Sequence, residues 1–171
     1  MARAMMEIKT NMALRINNLF LFVALSAGLG SCGEASFYEE NTPIDGTNWK
    51  INDVKAFTVN IDDTVQHYDF FIDLRHTESY PYSNIFLFMT YTLPDGKRVV
   101  DSVGYNMQDA ENRWLGNHSG SLITHRVLVK QNGRFPRKGR YVISLRHAMY
   151  DDPLVGVCDI GITLRKKEKK S

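Results

Sequence analysis

The fold is indicated most clearly by residues 67–75, which read His-Tyr-Asp-Phe-Phe-Ile-Asp-Leu-Arg. Apolar side chains occupy every second position from 68 to 74, and charged side chains fall at 69, 73 and 75. Successive side chains of a β-strand point to opposite faces, so this period predicts a strand with one buried and one solvated face.

The same reasoning predicts six further strands. They lie at about 54–61, 85–91, 97–105, 121–130, 141–145 and 157–164. Residues 85–91 are almost continuously apolar, which predicts a central strand covered on both faces. Pro94-Asp95-Gly96 predicts a hairpin turn before the fourth strand, and residues 146–150 predict one short helical turn. Together these strands predict an all-β fold, a two-sheet antiparallel β-sandwich of the jelly-roll or immunoglobulin-like kind.

The amino-terminal residues 1–31 are predicted to be a lipoprotein signal peptide. A basic flank precedes an apolar run that is shorter than the ~20 residues a membrane-spanning helix needs. Leu29-Gly30-Ser31-Cys32 then follows the pattern of a bacterial lipobox, in which the cysteine thiol is alkylated with diacylglycerol and the chain is cut just before it. The alternative is a chance cysteine in an apolar segment. Residues 32–50 are predicted to be the lipid anchor and tether, and residues 51–171 the sandwich domain.

Composition narrows the class of protein. With 43% hydrophobic and 23% charged residues the chain is globular, and removal of residues 1–31 leaves 18 basic and 18 acidic side chains. No basic stripe is interleaved with aromatic residues, so nucleic acid is not an expected partner. The basic ending at 165–170 is interpreted as a solubilising terminus, with contact to phosphate head groups as the alternative. If Cys32 carries lipid, Cys158 has no disulfide partner, and its alternation with aliphatic residues predicts a buried thiol.

The sequence contains no recognised arrangement of catalytic groups. It has no Gly-x-Ser-x-Gly elbow, no His-Glu-x-x-His motif and no phosphate loop. Five histidines are scattered without metal-ligand spacing, although two or three could meet in space; they are His67, His76, His118, His125 and His147. The chain is therefore predicted to be non-enzymatic, without a metal, and without a cofactor other than the covalent lipid on Cys32.

Loop aromatics and two short motifs are the remaining candidate sites. Tyr80, Tyr82 and Trp114 lie in predicted loops, where such rings either plug the end of a sandwich or contact a glycan or a protein partner. Thr64 and Ser102 each follow an aspartate and precede a valine, a pattern that some bacteria use for O-glycosylation of exported proteins.

The order of several segments resembles one family, the gliding-motility lipoproteins GldH of Bacteroidota. The resemblance rests on the lipobox, Tyr80-Pro81-Tyr82-Ser83-Asn84-Ile85-Phe86-Leu87-Phe88, Leu93-Pro94-Asp95-Gly96, Trp114-Leu115-Gly116, Arg134-Phe135-Pro136 and residues 148–161. It covers nearly all of the chain after Cys32.

This resemblance implies an outer-membrane lipoprotein, facing the periplasm or the cell surface, that supports gliding motility and the associated type IX secretion machinery. Its expected partners are the membrane, through the lipid anchor, and other proteins of the envelope or gliding machinery. No catalytic residue is implied. The alternative function is a glycan-binding surface lipoprotein that uses the loop aromatics as stacking surfaces.

Overall fold

The computed structural model describes residues 36–167, and these residues form eleven strands and one 3₁₀ turn. The strands are β1 Tyr38–Pro43, β2 Asn48–Trp49, β3 Lys55–Ile61, β4 Tyr68–Thr77, β5 Asn84–Thr92, β6 Arg98–Asn106, β7 Asn117–Ser119, β8 Leu122–Gly133, β9 Gly139–His147, β10 Leu154–Val155 and β11 Val157–Lys166. The 3₁₀ turn spans Asp45–Thr47. Within residues 36–167 no helix is long and apolar enough to cross a membrane.

The strands form two antiparallel sheets that pack face to face. The first sheet has the order β1-β11-β4-β8-β7 and the second has the order β3-β9-β5-β6. A small third sheet pairs β10 with β2 at one end of the molecule. The predicted antiparallel β-sandwich is thus confirmed.

The core lies between the two sheets and follows the period of two in the sequence. Its inward-facing residues include Phe57, Val59 and Ile61 of β3, Phe70, Ile72 and Leu74 of β4, Tyr141, Ile143 and Leu145 of β9, and Ile160, Ile162 and Leu164 of β11. Each such side chain stabilises the fold by roughly 1.5–3 kcal/mol relative to exposure. Phe135, from the loop after β8, adds its ring to those of Phe70 and Tyr141.

The domain starts earlier than the sequence predicts. Residues 38–43 form β1, which pairs with β11, and Trp49 is fully buried. The boundary placed at residue 51, with residues 32–50 as a tether, is therefore too late. β1 pairs closely because Gly161 opposite has no Cβ; one there would overlap the carbonyl oxygen of Glu40 and the side chain of Asn41.

Three local predictions need correction. Phe86 of β5 is 50% exposed, so this strand is interior in its sheet but covered on one face only. Arg146 and His147 end β9 as strand residues, so the helical turn predicted there is wrong. A register shift between Val157 and Asp159 leaves Cys158 only half-buried, not packed in the core.

The hairpin predicted at Pro94-Asp95-Gly96 is present and joins β5 to β6. The Leu93 amide donates to the Lys97 carbonyl at 2.8 Å, and the Asp95 carboxylate accepts from the Lys97 amide at 3.0 Å. Gly96 has a φ of 81°, which other residues rarely adopt. This turn sets the register that presents β6 along one side of the sandwich.

Candidate functional site

One side of the sandwich is bordered by two strands whose outer edges are largely unpaired. In the described part of the chain, β6 pairs only with β5, and after Thr124 β8 pairs only with β4 because β7 is three residues long. Backbone donors and acceptors along such an edge are available to another extended chain. These two edges belong to different sheets, so they face each other across the gap between the sheets.

A groove of about 730 Å³ lies between these edges, and we call it the β6–β8 groove. Its walls are residues 99–105 of β6 and 126–130 of β8, and its floor is largely aromatic, with Phe70, Tyr91, Phe135 and Tyr141. Val99, on the β6 wall, is 47% exposed. The groove therefore offers apolar and aromatic surface beside unpaired backbone.

Strand irregularity shapes the β8 wall. The pairing of β4 with β8 shifts register twice, between Tyr68 and Phe70 and between Phe70 and Phe71. Since Phe71 lies opposite Leu128 and Phe70 opposite Lys130, Val129 is an extra residue on β8. Such bulges bend a strand and increase its twist, which is a common feature at sheet edges.

The groove also carries charge on both walls. Asp101 lies opposite Met89, whose side chain is buried, so Asp101 is on the inward-facing side of β6. Burial, with a smaller contribution from Asp101, raises the pKa of Tyr91 to about 12, so this phenol stays a neutral hydrogen-bonding group. Lys130 and Arg134 line the other side. The lining can thus bind a chain through apolar, hydrogen-bonding and ionic contacts.

Two of the scattered histidines meet beside this groove. His76 of β4 and His125 of β8 are 0% and 2% exposed, and their Nε2 atoms lie 3.0 Å apart. His76 Nδ1 donates to the Thr77 carbonyl at 2.8 Å, so Nε2 of the neutral His76 ring accepts a hydrogen bond from His125 Nε2. His125 Nδ1 then accepts from the Tyr105 hydroxyl at 3.4 Å, which connects the pair to the groove wall.

The contact between the two Nε2 atoms requires His76 to be neutral, and burial favours the neutral form of both rings. Burial lowers the pKa of His76, and burial together with the nearby His76 and His118 lowers the pKa of His125 to about 4. Protonation of His76 at Nε2 would place two N–H groups against each other, and protonation of His125 at Nδ1 would remove the acceptor of the Tyr105 hydroxyl. Among residues 36–167, no group of three or more metal-ligating side chains is present, so the pair has no third ligand there.

The predicted contact aromatics come together but are largely packed. Tyr80 is 4% exposed and donates its hydroxyl to the Asn84 carbonyl at 3.0 Å. Tyr82 is half-buried and donates to the Asp151 carboxylate at 2.5 Å, and Trp114 is half-buried with its ring centroid 4.5 Å from that of His76. Only Tyr82 and Trp114 keep surface for a ligand, and contact of a partner or glycan with the three rings stays a prediction.

The predicted modification sites fall in different surroundings. Thr64 lies in the loop between β3 and β4, and Ser102 is exposed on the outward face of β6, opposite Phe88. O-glycosylation of both stays a prediction. The signal peptide and the lipid site at Cys32 lie outside the described residues.

Sequence reasoning missed the groove itself. Val99, Asp101, Val103 and Tyr105 alternate in the sequence, and this alternation does place them on one face of β6. One sequence signal for the groove was Asp101, a charged residue at an inward-facing position of β6. Because buried faces rarely carry an unpaired charge, it indicates that this part of the face is open to solvent.

The fold and its lateral groove define a structural class, a two-sheet antiparallel β-sandwich with a groove along one side. Within that class, the chain belongs to the GldH lipoprotein family, since the sequence model of that family matches residues 36–164. Membership makes it a membrane-associated lipoprotein related to gliding motility, as the resemblance predicted.

Two similar proteins cover nearly the whole chain. A gliding motility lipoprotein GldH homolog of Christiangramia forsetii is 28% identical over 158 residues, which is 88% of this chain and 96% of that protein. The gliding motility lipoprotein GldH of Flavobacterium johnsoniae is 25% identical over 162 residues, 91% of this chain and 100% of that protein. Among solved structures, a carbohydrate-binding module specific for non-crystalline cellulose aligns with a TM-score of 0.43 and 10% identity, over 76% of this chain and 73% of that chain.

Proposed function

We propose that this protein is a non-catalytic outer-membrane lipoprotein, held by diacylglycerol on Cys32, that supports gliding motility or the associated type IX secretion machinery. In this proposal it acts as a receptor: a partner protein of the envelope machinery places an extended segment in the β6–β8 groove. The observation that carries the proposal is the groove between two unpaired strand edges. Family membership supports the link to gliding.

An extended peptide fits this groove better than a sugar or a lipid for a chemical reason. The nine residues of β6 present a row of backbone N–H and C=O groups, and an added strand satisfies such groups with main-chain hydrogen bonds. Every second side chain of that strand would then point to the aromatic floor. The charges of Asp101, Lys130 and Arg134 would favour a segment with complementary charges at its ends.

The test compares two neighbouring valines of β6. Val99 faces the groove and Val100 faces outward, and both are largely exposed, at 47% and 62%. We expect Val99→Arg in the chromosomal copy to impair type IX secretion, and colony spreading in a strain that glides, while the protein remains at normal abundance. Val100→Arg is the matched control and should behave as wild type. Equal phenotypes for the two variants, or none for either, would contradict the proposed receptor role.

A further inference from the structure

The two ends of the sandwich differ in charge. We call the end where β1 begins the basic pole; it comprises the loops 62–67, 93–97 and 134–138, the chain termini at 36–37 and 167, and the two outermost strand residues at this end. It carries nine cationic side chains and five carboxylates. The cations are Lys97, Arg98, Arg134, Arg137, Lys138, Arg140, Arg165, Lys166 and Lys167, and the carboxylates are Glu39, Asp62, Asp63, Asp69 and Asp95.

The opposite end has the reverse balance. Counted in the same way, it carries four cations and seven carboxylates. The cations are Lys50, Lys55, Arg113 and Arg146, and the carboxylates are Asp45, Asp53, Glu78, Asp109, Glu111, Asp151 and Asp152. Residues 36–167 therefore have a charge dipole along the direction of the strands, positive at the end where β1 begins.

Register pairings show that the cations of the basic pole share one surface. Gly139 of β9 pairs with Ile61 of β3, and Tyr68 of β4 pairs with both Gly133 of β8 and Lys166 of β11. The loop after β8 and the start of β9 hold four exposed cations: Arg134, Arg137, Lys138 and Arg140. In the described part of the chain, only Arg137 of these four has an ion pair, with Asp95.

The chain enters the sandwich at this same pole. The Phe37 amide donates to the Leu164 carbonyl at 2.8 Å, and the Phe37 ring lies 5.0 Å from that of Tyr68 with the Lys166 ammonium 4.8 Å above it. Only five residue steps separate Phe37 from Cys32, a span of at most about 18 Å. Strands of nine or ten residues are about 30 Å long, so this reach is shorter than the sandwich.

We infer that the basic pole docks on the anionic lipid headgroups of the membrane that holds the Cys32 anchor, with the acidic pole pointing away. This inference rests on the proposed lipidation of Cys32. The short tether keeps the pole close to the headgroups, and opposite charges attract over a distance of about one Debye length, ~8 Å at physiological salt. Docked in this way, the β6–β8 groove runs up the side of the domain and stays open to a partner.

The test uses the mature lipidated protein reconstituted in vesicles of phosphatidylcholine, with or without phosphatidylglycerol. Trypsin cleavage after residues 134–140 is compared by mass spectrometry with cleavage after Arg113 at the far end. We expect phosphatidylglycerol to slow cleavage at 134–140 several-fold relative to Arg113, and high salt to abolish the difference. The double variant Lys97→Glu/Arg98→Glu, which keeps these cleavage sites, should lose the protection. Lys50→Glu/Ser121→Glu makes the far end more acidic and should keep it.

Flotation of the same vesicles separates docking of the basic pole from lipid anchoring through Cys32. Protein that floats with both vesicle types but is cleaved equally at 134–140 in both would overturn the docking inference and leave the lipid anchor standing. Protein that does not float at all would overturn the anchor on which the inference rests. Protection that persists in Lys97→Glu/Arg98→Glu would also refute docking through the basic pole.

Discussion

The buried histidine pair predicts a loss of stability in mildly acidic solution. His76 and His125 are neutral in the folded protein, and the pKa of His125 is lowered from 6.5 to about 4. In the unfolded chain both rings take up protons near pH 6.5, so the unfolded state binds more protons as the pH falls. The free energy of unfolding therefore keeps its full value above about pH 7 and declines as the pH falls below 6.5. The decline caused by His125 is complete near pH 4.

The size of the effect follows from the pKa of His125. A pKa lowered from 6.5 to about 4 reduces the free energy of unfolding by up to about 3 kcal/mol in acid. About 1.4 kcal/mol of this is already lost at pH 5.5. For a domain of this size that loss lowers Tm by roughly 4–7 °C. His76 and the fully buried His147 also have pKa values lowered by burial and add to the loss. Hydrogen bonds from Ser36 and Arg126 lower the pKa of Glu39. Burial raises the pKa of Asp69, but contacts with the Asn132 amide and Lys167 outweigh it and lower the pKa overall. The stability that these two carboxylates contribute is therefore lost at more acidic pH than the histidine effect.

The assay is urea unfolding of the mature protein at several values between pH 4.5 and 7.5. His125→Gln keeps an N–H that can donate to His76 but does not titrate, so we expect the dependence of unfolding free energy on pH to fall by about half. His67→Gln, in the loop between β3 and β4, is the matched control. An unchanged slope in His125→Gln, or a wild-type free energy of unfolding that is flat from pH 7.5 to 5, would contradict a low pKa of His125 in the folded protein.

Three further predictions concern the fold and the anchor. Gly161→Ala should lower unfolding free energy by about 1–3 kcal/mol in urea titrations, because its Cβ would overlap the Glu40 carbonyl and push β1 from the sheet. Asp73→Ala should cost about 1–3 kcal/mol by the same measurement, because the 5% exposed carboxylate accepts from Arg126 Nε at 2.5 Å and from the buried Thr163 hydroxyl, which would lose its acceptor; a cost below about 0.5 kcal/mol would show these bonds to be dispensable. Cys32→Ser should move the protein out of the membrane fraction, and unchanged fractionation would contradict lipidation at this residue.

The main strands could be predicted because their signal is local. Alternation such as that of Phe57, Val59 and Ile61 depends only on neighbouring residues and directly reports which side chains face the core. The turn at Pro94–Gly96 is likewise a local property of backbone preferences. Strand β1 could not be found in this way, because its residues are polar on both faces and it is held by pairing with β11, far along the chain.

The candidate site depends on which strands lie side by side. Sequence alternation places His125 on the buried face of β8, but its meeting with His76 requires β4 to be the neighbour of β8. The groove likewise exists because β6 ends one sheet while most of β8 lies at the edge of the other. Strand order is a property of the whole chain, and no local pattern in residues 98–106 states that their outer edge is unpaired.

The proposed receptor role requires that the β6–β8 groove receives an extended segment of a partner protein. The most direct measurement is a scan of β6 in living cells with a photo-crosslinking amino acid at each position from 98 to 105, followed by mass spectrometry of the products. We expect crosslinks to one envelope protein at 99, 101, 103 and 105, and few at the outward positions between them. Crosslinks without this period of two, or crosslinks only to lipid or polysaccharide, would contradict the proposed receptor role of the β6–β8 groove.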